Sequence, residues 1–208
     1  MLGTDLRMVV LDPNADFVRL GEARTDAPAA EAGRIEAMDV RILRPDSAGG
    51  QPLRLRFATM PRQAQAAVLQ LDPLADRGEY SQFMRMIADN VPVDIATLVE
   101  RLAAGTADEQ ALGQRIENLG LLDWEVWAGE RASAAEVVES GARVTVLDLG
   151  GFRHPREPVA VALDLVERLI QIAAEGRKYG LWLLLSTQRP SKIHPQVLSQ
   201  CDNLALSG

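Results

Sequence analysis

Gly180-Leu-Trp-Leu-Leu-Leu-Ser-Thr-Gln-Arg-Pro190 is the stretch whose reading decides the fold. Leu181–Leu185 is a short continuous apolar run, the pattern of a strand buried on both faces. Ser186-Thr-Gln-Arg189 then sets polar groups at the carboxyl end of that strand, and Pro190 opens a loop. In open α/β sheets that edge is where ligands bind. Immediately upstream, Glu175-Gly-Arg-Lys-Tyr-Gly180 reads as a helix C-terminus marked by glycines. Two more apolar strands end in an acid. Arg7-Met-Val-Val-Leu-Asp12 is followed by Pro13, and Arg143-Val-Thr-Val-Leu-Asp148 by Gly150-Gly151.

Taken in order, these three blocks resemble the HerA/FtsK-like branch of the P-loop ATPases, hexameric motors that move DNA, and most closely the HerA-like members. The Asp12 strand looks like the family's second core strand, and Arg143–Gly151 looks like the strand that precedes the Walker B strand. The resemblance implies an α/β fold, a RecA-like P-loop NTPase core with an inserted helical bundle. Residues 1–58 would form the first part of the core, 59–142 the bundle and 143–208 the second part. It also implies a cytoplasmic homo-hexamer that hydrolyses ATP with Mg²⁺ at subunit interfaces and moves double-stranded DNA. A nuclease or other effector is the implied protein partner, and no membrane is involved.

Carried over residue by residue, the resemblance gives Gln188 the role of a catalytic sensor of the γ-phosphate or attacking water. An amide both donates and accepts, which suits that task; the plainer reading is a strand terminus bonding the next loop. Thr187 and Arg189 accompany it on the nucleotide side, although Pro190 beside Arg189 also suits a structural turn. Arg177 is either an arginine finger that neutralises transition-state charge in a neighbouring subunit or a cation favoured by its helix dipole. Lys178 is the weaker candidate, because a guanidinium suits bidentate phosphate contact better. Asp12 is placed near the metal, or caps the turn after Pro13. Asp148 and the loop Phe152-Arg-His-Pro-Arg156 face either a ring channel or solvent.

Two parts of the family pattern do not occur in the 208 residues. One is Gly-x-x-x-x-Gly-Lys-Ser/Thr, whose backbone cradles phosphates. It belongs about 20 residues before the Asp12 strand, one strand–helix unit away. The other is an apolar strand ending in Asp-Glu, which holds Mg²⁺; it belongs between Val161 and Leu165, where Glu157-Pro-Val-Ala-Val-Ala-Leu runs straight into Asp164-Leu-Val-Glu-Arg-Leu. Two helical fragments read as joined there. A sheet lacking its central strand exposes unpaired edges, so the expectation is a fuller protein that carries these segments. A nucleotide-dead ring or scaffold subunit is the alternative, and a conjugation- or secretion-type pumping ATPase is a third reading. Asn203–Gly208 falls inside what reads as a last core strand, which points to further elements.

Composition is that of an α/β protein able to bury a sizeable core. A single cysteine, Cys201, forms no internal disulfide and suits a reducing compartment. No apolar run approaches the ~20 residues that span a bilayer, and Met1–Arg7 lacks the regions of a signal peptide. The net charge of −7 argues against a surface that coats nucleic acid unaided. A ring can still present a few cations to a channel, because only charges within about a Debye length of the strand count. His154 and His194 show no metal-ligand spacing.

Between the strands, Pro13 to about Ala23 reads as helix or turn, and Thr25–Ala37 as a connection. Asp39–Leu43 and Pro52–Phe57 alternate apolar and basic residues and predict an edge hairpin around Pro45–Gly50. Arg41, Arg44, Arg54 and Arg56 then form either a solvated or a phosphate-facing row. From Pro61 the period becomes helical. Ala64/Ala67/Val68/Leu71, Tyr80/Phe83/Met84/Ile87, Ile95/Leu98/Val99/Leu102 and Leu112/Ile116/Leu119 predict four amphipathic helices in a small bundle. Asp94 is the expected N-cap of the third. Trp124 and Trp127, three apart, suit one helical face, either packed on the core or meeting another subunit.

Overall fold

The computed structural model describes residues 7–88 and 94–176, with side chains described to residue 168. The elements are β1 (Met8–Asp12), α1 (Ala29–Glu36), β2 (Val40–Arg44), β3 (Gln51–Pro52), α2 (Arg62–Val68), α3 (Arg77–Ala88), α4 (Ile95–Ala103), α5 (Ala107–Asn118), α6 (Ala134–Glu139), β4 (Val144–Asp148) and α7 (Glu157–Gly176). The strands form one parallel sheet in the order β1-β4-β2-β3. The fold is mixed α/β, compatible with a Rossmann-like or RecA-like core.

β4 lies between β1 and β2, and all five of its residues are buried. This is why Val-Thr-Val-Leu-Asp carries no polar/apolar alternation: neither face of a central parallel strand meets water. Met8 pairs with Val144 and Asp12 with Asp148; on the other side Val40 also pairs with Val144. The chain from β1 to β2 therefore crosses over β4. That crossover contains α1, where the sequence reading gave only a connection. α1 buries no residue, so no apolar stripe announces it; its Ala and Glu content supplies helix propensity instead.

The expected hairpin is also corrected: β3 runs parallel to β2, not antiparallel. A 3₁₀ turn over Asp46–Ala48 is followed by Gly49 and Gly50, both at positive φ. Two consecutive left-handed residues suit glycine alone, and they turn the chain a second time so that it leaves in its original direction. After β3 the ladder reduces to one bridge, Leu55 to Trp127, held by Leu55 N–H to Val126 O and Ala128 N–H to Leu55 O, each 2.7 Å.

Of the four arginines of this region, Arg41, Arg44 and Arg56 stay partly solvated, whereas Arg54 is buried. Arg41 pairs with Asp39 and donates to Ser140 Oγ; Arg44 pairs with Asp148; Arg54 forks onto both oxygens of Asp46 at 2.6 Å. Arg56 donates to the carbonyls of Gly129 and Arg131. Each crosses to another segment or closes a local turn, and Arg54 is only 4% exposed.

The four helices of the middle region form where the period placed them. Asp94 caps α4 by accepting from Thr97 N–H at 2.8 Å, and these backbone bonds hold its carboxyl below the usual range. Thr106 and Glu109 make a reciprocal capping box on α5. α5 packs against α3 and α4, while α2 packs against α7. Arg115 of α5 binds Glu79, Asp76 at 2.8 Å and the carbonyl of Gln70 at 3.0 Å, which ties the start of α3 to α5. One apolar cluster runs from Leu43 and Leu147 in the sheet through Phe83, Leu98, Leu112 and Ile116 to Val161 and Leu165 in α7.

Trp124 and Trp127 do not share a helical face. A 3₁₀ turn over Leu121–Asp123 precedes them, and a further turn at Glu125 and Val126 separates them. Their rings stack at 5.7 Å with an 8° interplanar angle, and Phe57 meets Trp127 edge-on. Trp124 is buried, so the pair packs on the core. The stretch that read as two joined fragments is one helix, α7. Asp164 on it is nearly buried; burial raises its pKa and Arg168, at 3.0 Å, opposes the rise. Arg168 also donates to Thr59 O. Among the described residues no helix is long and apolar enough to cross a membrane.

Leu147, fully buried at the centre of the sheet, tests this packing. Leu147→Ala is expected to cost about 2–5 kcal/mol through lost transfer energy plus a cavity, read as a lower urea midpoint with an unchanged slope.

Candidate functional site at the carboxyl edge of the sheet

β1 and β4 both end in aspartate because both strands deliver an acid to the same edge. Their register sets Asp12 and Asp148 side by side, each 1% exposed. Burying a carboxylate is costly unless it is hydrogen-bonded, and each of these has partners. Asp12 Oδ2 accepts Phe17 N–H at 2.8 Å, and Oδ1 accepts Asp16 N–H at 3.0 Å and Asn14 N–H at 3.4 Å. The capping role is therefore what the geometry displays: the carboxylate closes turn 13–17, in which Ala15 takes a positive φ. No helix forms there.

Asp148 holds the neighbouring turn. Its Oδ1 accepts Gly150 N–H and its Oδ2 accepts Arg44 Nε, both at 2.9 Å. Arg44, at the end of β2, also reaches Ala48 O at 3.4 Å. Ser47 Oγ donates to Gly151 O at 2.8 Å. A Cβ on Gly150 would sit 3.2 Å from Asp148 Oδ1 and 3.6 Å from Pro13 O. Glycine thus lets the β1 and β4 loops approach. Three strands contribute to this edge, and its loops are fixed by side-chain-to-backbone bonds.

A second polar cluster adjoins it. Glu157, at the start of α7, is fully buried; its Oε1 accepts Val126 N–H at 3.1 Å and its Oε2 accepts His154 N–H at 2.9 Å. His154 lies 5.1 Å from Trp124, ring centre to ring centre. The 152–156 loop is therefore tied inward at His154, although Arg153 itself is exposed and lies 3.6 Å from Glu125 Oε2. Glu125 keeps a buried oxygen, Oε1, without a hydrogen-bond partner, as does Trp124 at Nε1. Burial pushes the Glu125 carboxyl up, and the neighbouring Glu157 charge adds to the rise. Sequence reasoning missed Glu125 and Glu157, because neither stands in a motif; only the structure brings them together.

Of the residues implied for nucleotide chemistry, the structure describes Asp12. Arg177, Thr187, Gln188 and Arg189 lie outside the described residues. The groups present do not make an ATP–Mg²⁺ site by themselves. Asp12 spends its carboxylate on three backbone donors, and no group of three metal-ligating side chains occurs among the described residues.

The chain is 51% identical over 39 residues to a probable helicase of Methanocaldococcus jannaschii. That match covers 19% of the chain and 8% of the helicase. No family model matches the chain, and no solved structure matches it significantly.

The raised Glu125 pKa makes a signed prediction. A carboxyl whose folded pKa exceeds its unfolded value gives stability below the unfolded pKa and loses it as pH rises through the folded one. Glu125→Gln keeps the shape without the charge. Its melting temperature relative to wild type is therefore expected to rise as pH goes from about 4, near the unfolded glutamate value, to neutrality.

Proposed function

We propose that this chain belongs to an ATP-driven DNA translocase or helicase of the HerA type. It acts as a homo-hexamer that hydrolyses ATP with Mg²⁺ at its subunit interfaces and moves double-stranded DNA, with a nuclease or effector as partner. The observation that carries the reading is the 39-residue match to a probable helicase. The parallel sheet, with loops gathered at one carboxyl edge, is the architecture such an enzyme needs. RecA-like motors and many unrelated proteins share that architecture, and the short helicase match is what favours a helicase among them.

Within this reading the described residues have a scaffolding task. Asp12 and Asp148 spend buried negative charge on the backbone of two turns and on Arg44. Those bonds hold the 13–17 and 149–151 loops in one arrangement, as a site that must meet a ligand without reorganising requires. The reacting groups proposed are Gln188 at the γ-phosphate, Arg177 as the finger to the neighbouring subunit, and Thr187 and Arg189 beside the nucleotide.

The absence of a Gly-x-x-x-x-Gly-Lys-Ser/Thr motif from the sequence favours one second reading, a nucleotide-dead ring subunit. Hydrolysis separates the two. The motor reading expects DNA-stimulated ATPase activity, a loss of about 10³-fold or more with Arg177→Ala, and a comparable loss with Gln188→Ala. Neither substitution should move the melting temperature. Assembly into a ring with no ATP turnover would reject the motor in favour of the scaffold.

A further inference from the structure

Where α3, α4 and the start of α5 meet, the helical part carries a cavity of about 260 Å³. Pockets that enclose a drug-sized molecule measure roughly 300–1,000 Å³. This one therefore suits a single small group, or the charged end of something larger. Arg85 and Gln82 line it from α3, and Arg101 lines it from α4. Met86 and Leu102 give it an apolar wall, and Thr106, the N-cap of α5, closes one side.

Arg54 and Arg115 spend their charge on carboxylates within the fold. Arg85 and Arg101 do not. Both are exposed, and among the described residues neither takes part in a hydrogen bond or a salt bridge. The charge they share is that of Glu109, which also lines the cavity. Glu109 Oε2 accepts Thr106 N–H at 2.6 Å in the capping box. That backbone bond holds the carboxyl below its usual range, and the Arg101 and Arg85 charges lower it further. Two guanidinium groups thus converge, from two helices, on one carboxylate that the backbone already holds. Two positive charges against one negative leave the cavity with one positive charge, in a chain whose net charge is −7.

We infer that this cavity binds a phosphate group. A guanidinium is a planar fork of N–H donors that matches the oxygens of phosphate or carboxylate. Two such forks and the Gln82 amide offer more donors than the two oxygens of a carboxylate engage well; a phosphate group brings three strong acceptor oxygens. The apolar wall of Met86 and Leu102 lowers the local dielectric on one side, which strengthens each charged contact. All these donors are side chains, so occupancy leaves the backbone N–H groups of α3, α4 and α5 with the partners they have. The inference rests on the residues of the cavity and does not depend on the motor reading.

Inorganic phosphate, titrated into the whole chain against chloride at equal ionic strength, tests it. The side-chain Nε–H resonances of Arg85 and Arg101 are expected to shift with phosphate and not with chloride. Arg85→Ala and Arg101→Ala are each expected to weaken phosphate binding about tenfold, the worth of one hydrogen bond to a charged group. Glu109→Gln is the decisive variant. Glutamine serves a capping box as glutamate does, so α5 keeps its cap while the competing carboxylate is gone. Phosphate is expected to bind this variant more tightly, a gain that damage to the fold does not produce. A labelled DNA duplex separates the sources of the group. A salt dependence of duplex binding that loses about one unit of slope in each arginine variant assigns the site to backbone phosphates. Phosphate shifts with an unchanged slope, or with no duplex binding, assign it to free phosphate or a phosphomonoester. Resonances that move alike in phosphate and chloride, or a Glu109→Gln protein that binds phosphate no better than the unsubstituted one, would overturn the inference.

Discussion

The paired carboxylates at the end of β1 and β4 are the constraint on which the rest of the structure depends. Two buried acids cannot sit side by side unless each is supplied with donors. Asp12 draws its donors from the turn that follows it, and Asp148 draws its own from Gly150 and Arg44. Satisfying these acids therefore shapes three loops at once and joins β2 to β4 beyond the ladder itself. Gly150 has to be small for this arrangement, because the β1 loop carbonyl and the Asp148 side chain approach it together.

Polar ties of the same kind hold the helical part to the sheet. Glu157 spends a fully buried carboxylate on the backbone at Val126 and His154. Arg168 joins α7 to the turn at Thr59, and Arg56 holds the 129–131 segment. Apolar contact supplies the cluster from Leu43 to Leu165, but apolar contact is not directional. These polar ties are directional, and they bond backbone groups of the segments that link the helices to the sheet.

What the sequence disclosed follows from the same physics. β1 and β4 were legible because an apolar run ending in an acid is a local pattern. The helices from Arg62 to Asn118 were legible because one face of each is buried at helical spacing. α1 was not, since it buries nothing and so leaves no period. The β2–β3 pair was misread because alternation reports which face is wet, not which way the chain runs; the two positive-φ glycines carried the direction. Trp124 and Trp127 stack without a helix, because the turn at Glu125 and Val126 brings the two side chains together. At the edge, Asp12 and Asp148 were visible as strand ends, whereas Arg44 pairing across 104 residues and the Glu125–Glu157 neighbourhood depend on tertiary contact alone.

The central claim is that the carboxyl edge at β1 and β4 is the place where this protein meets its ligand. Amide hydrogen exchange of the intact protein, with and without ATP and Mg²⁺, tests it most directly. The account predicts nucleotide-dependent slowing at residues 13–17 and 149–151, with α3, α4 and α5 unchanged. Exchange that is unaltered at those two turns, or slowing confined to the helices, would contradict it.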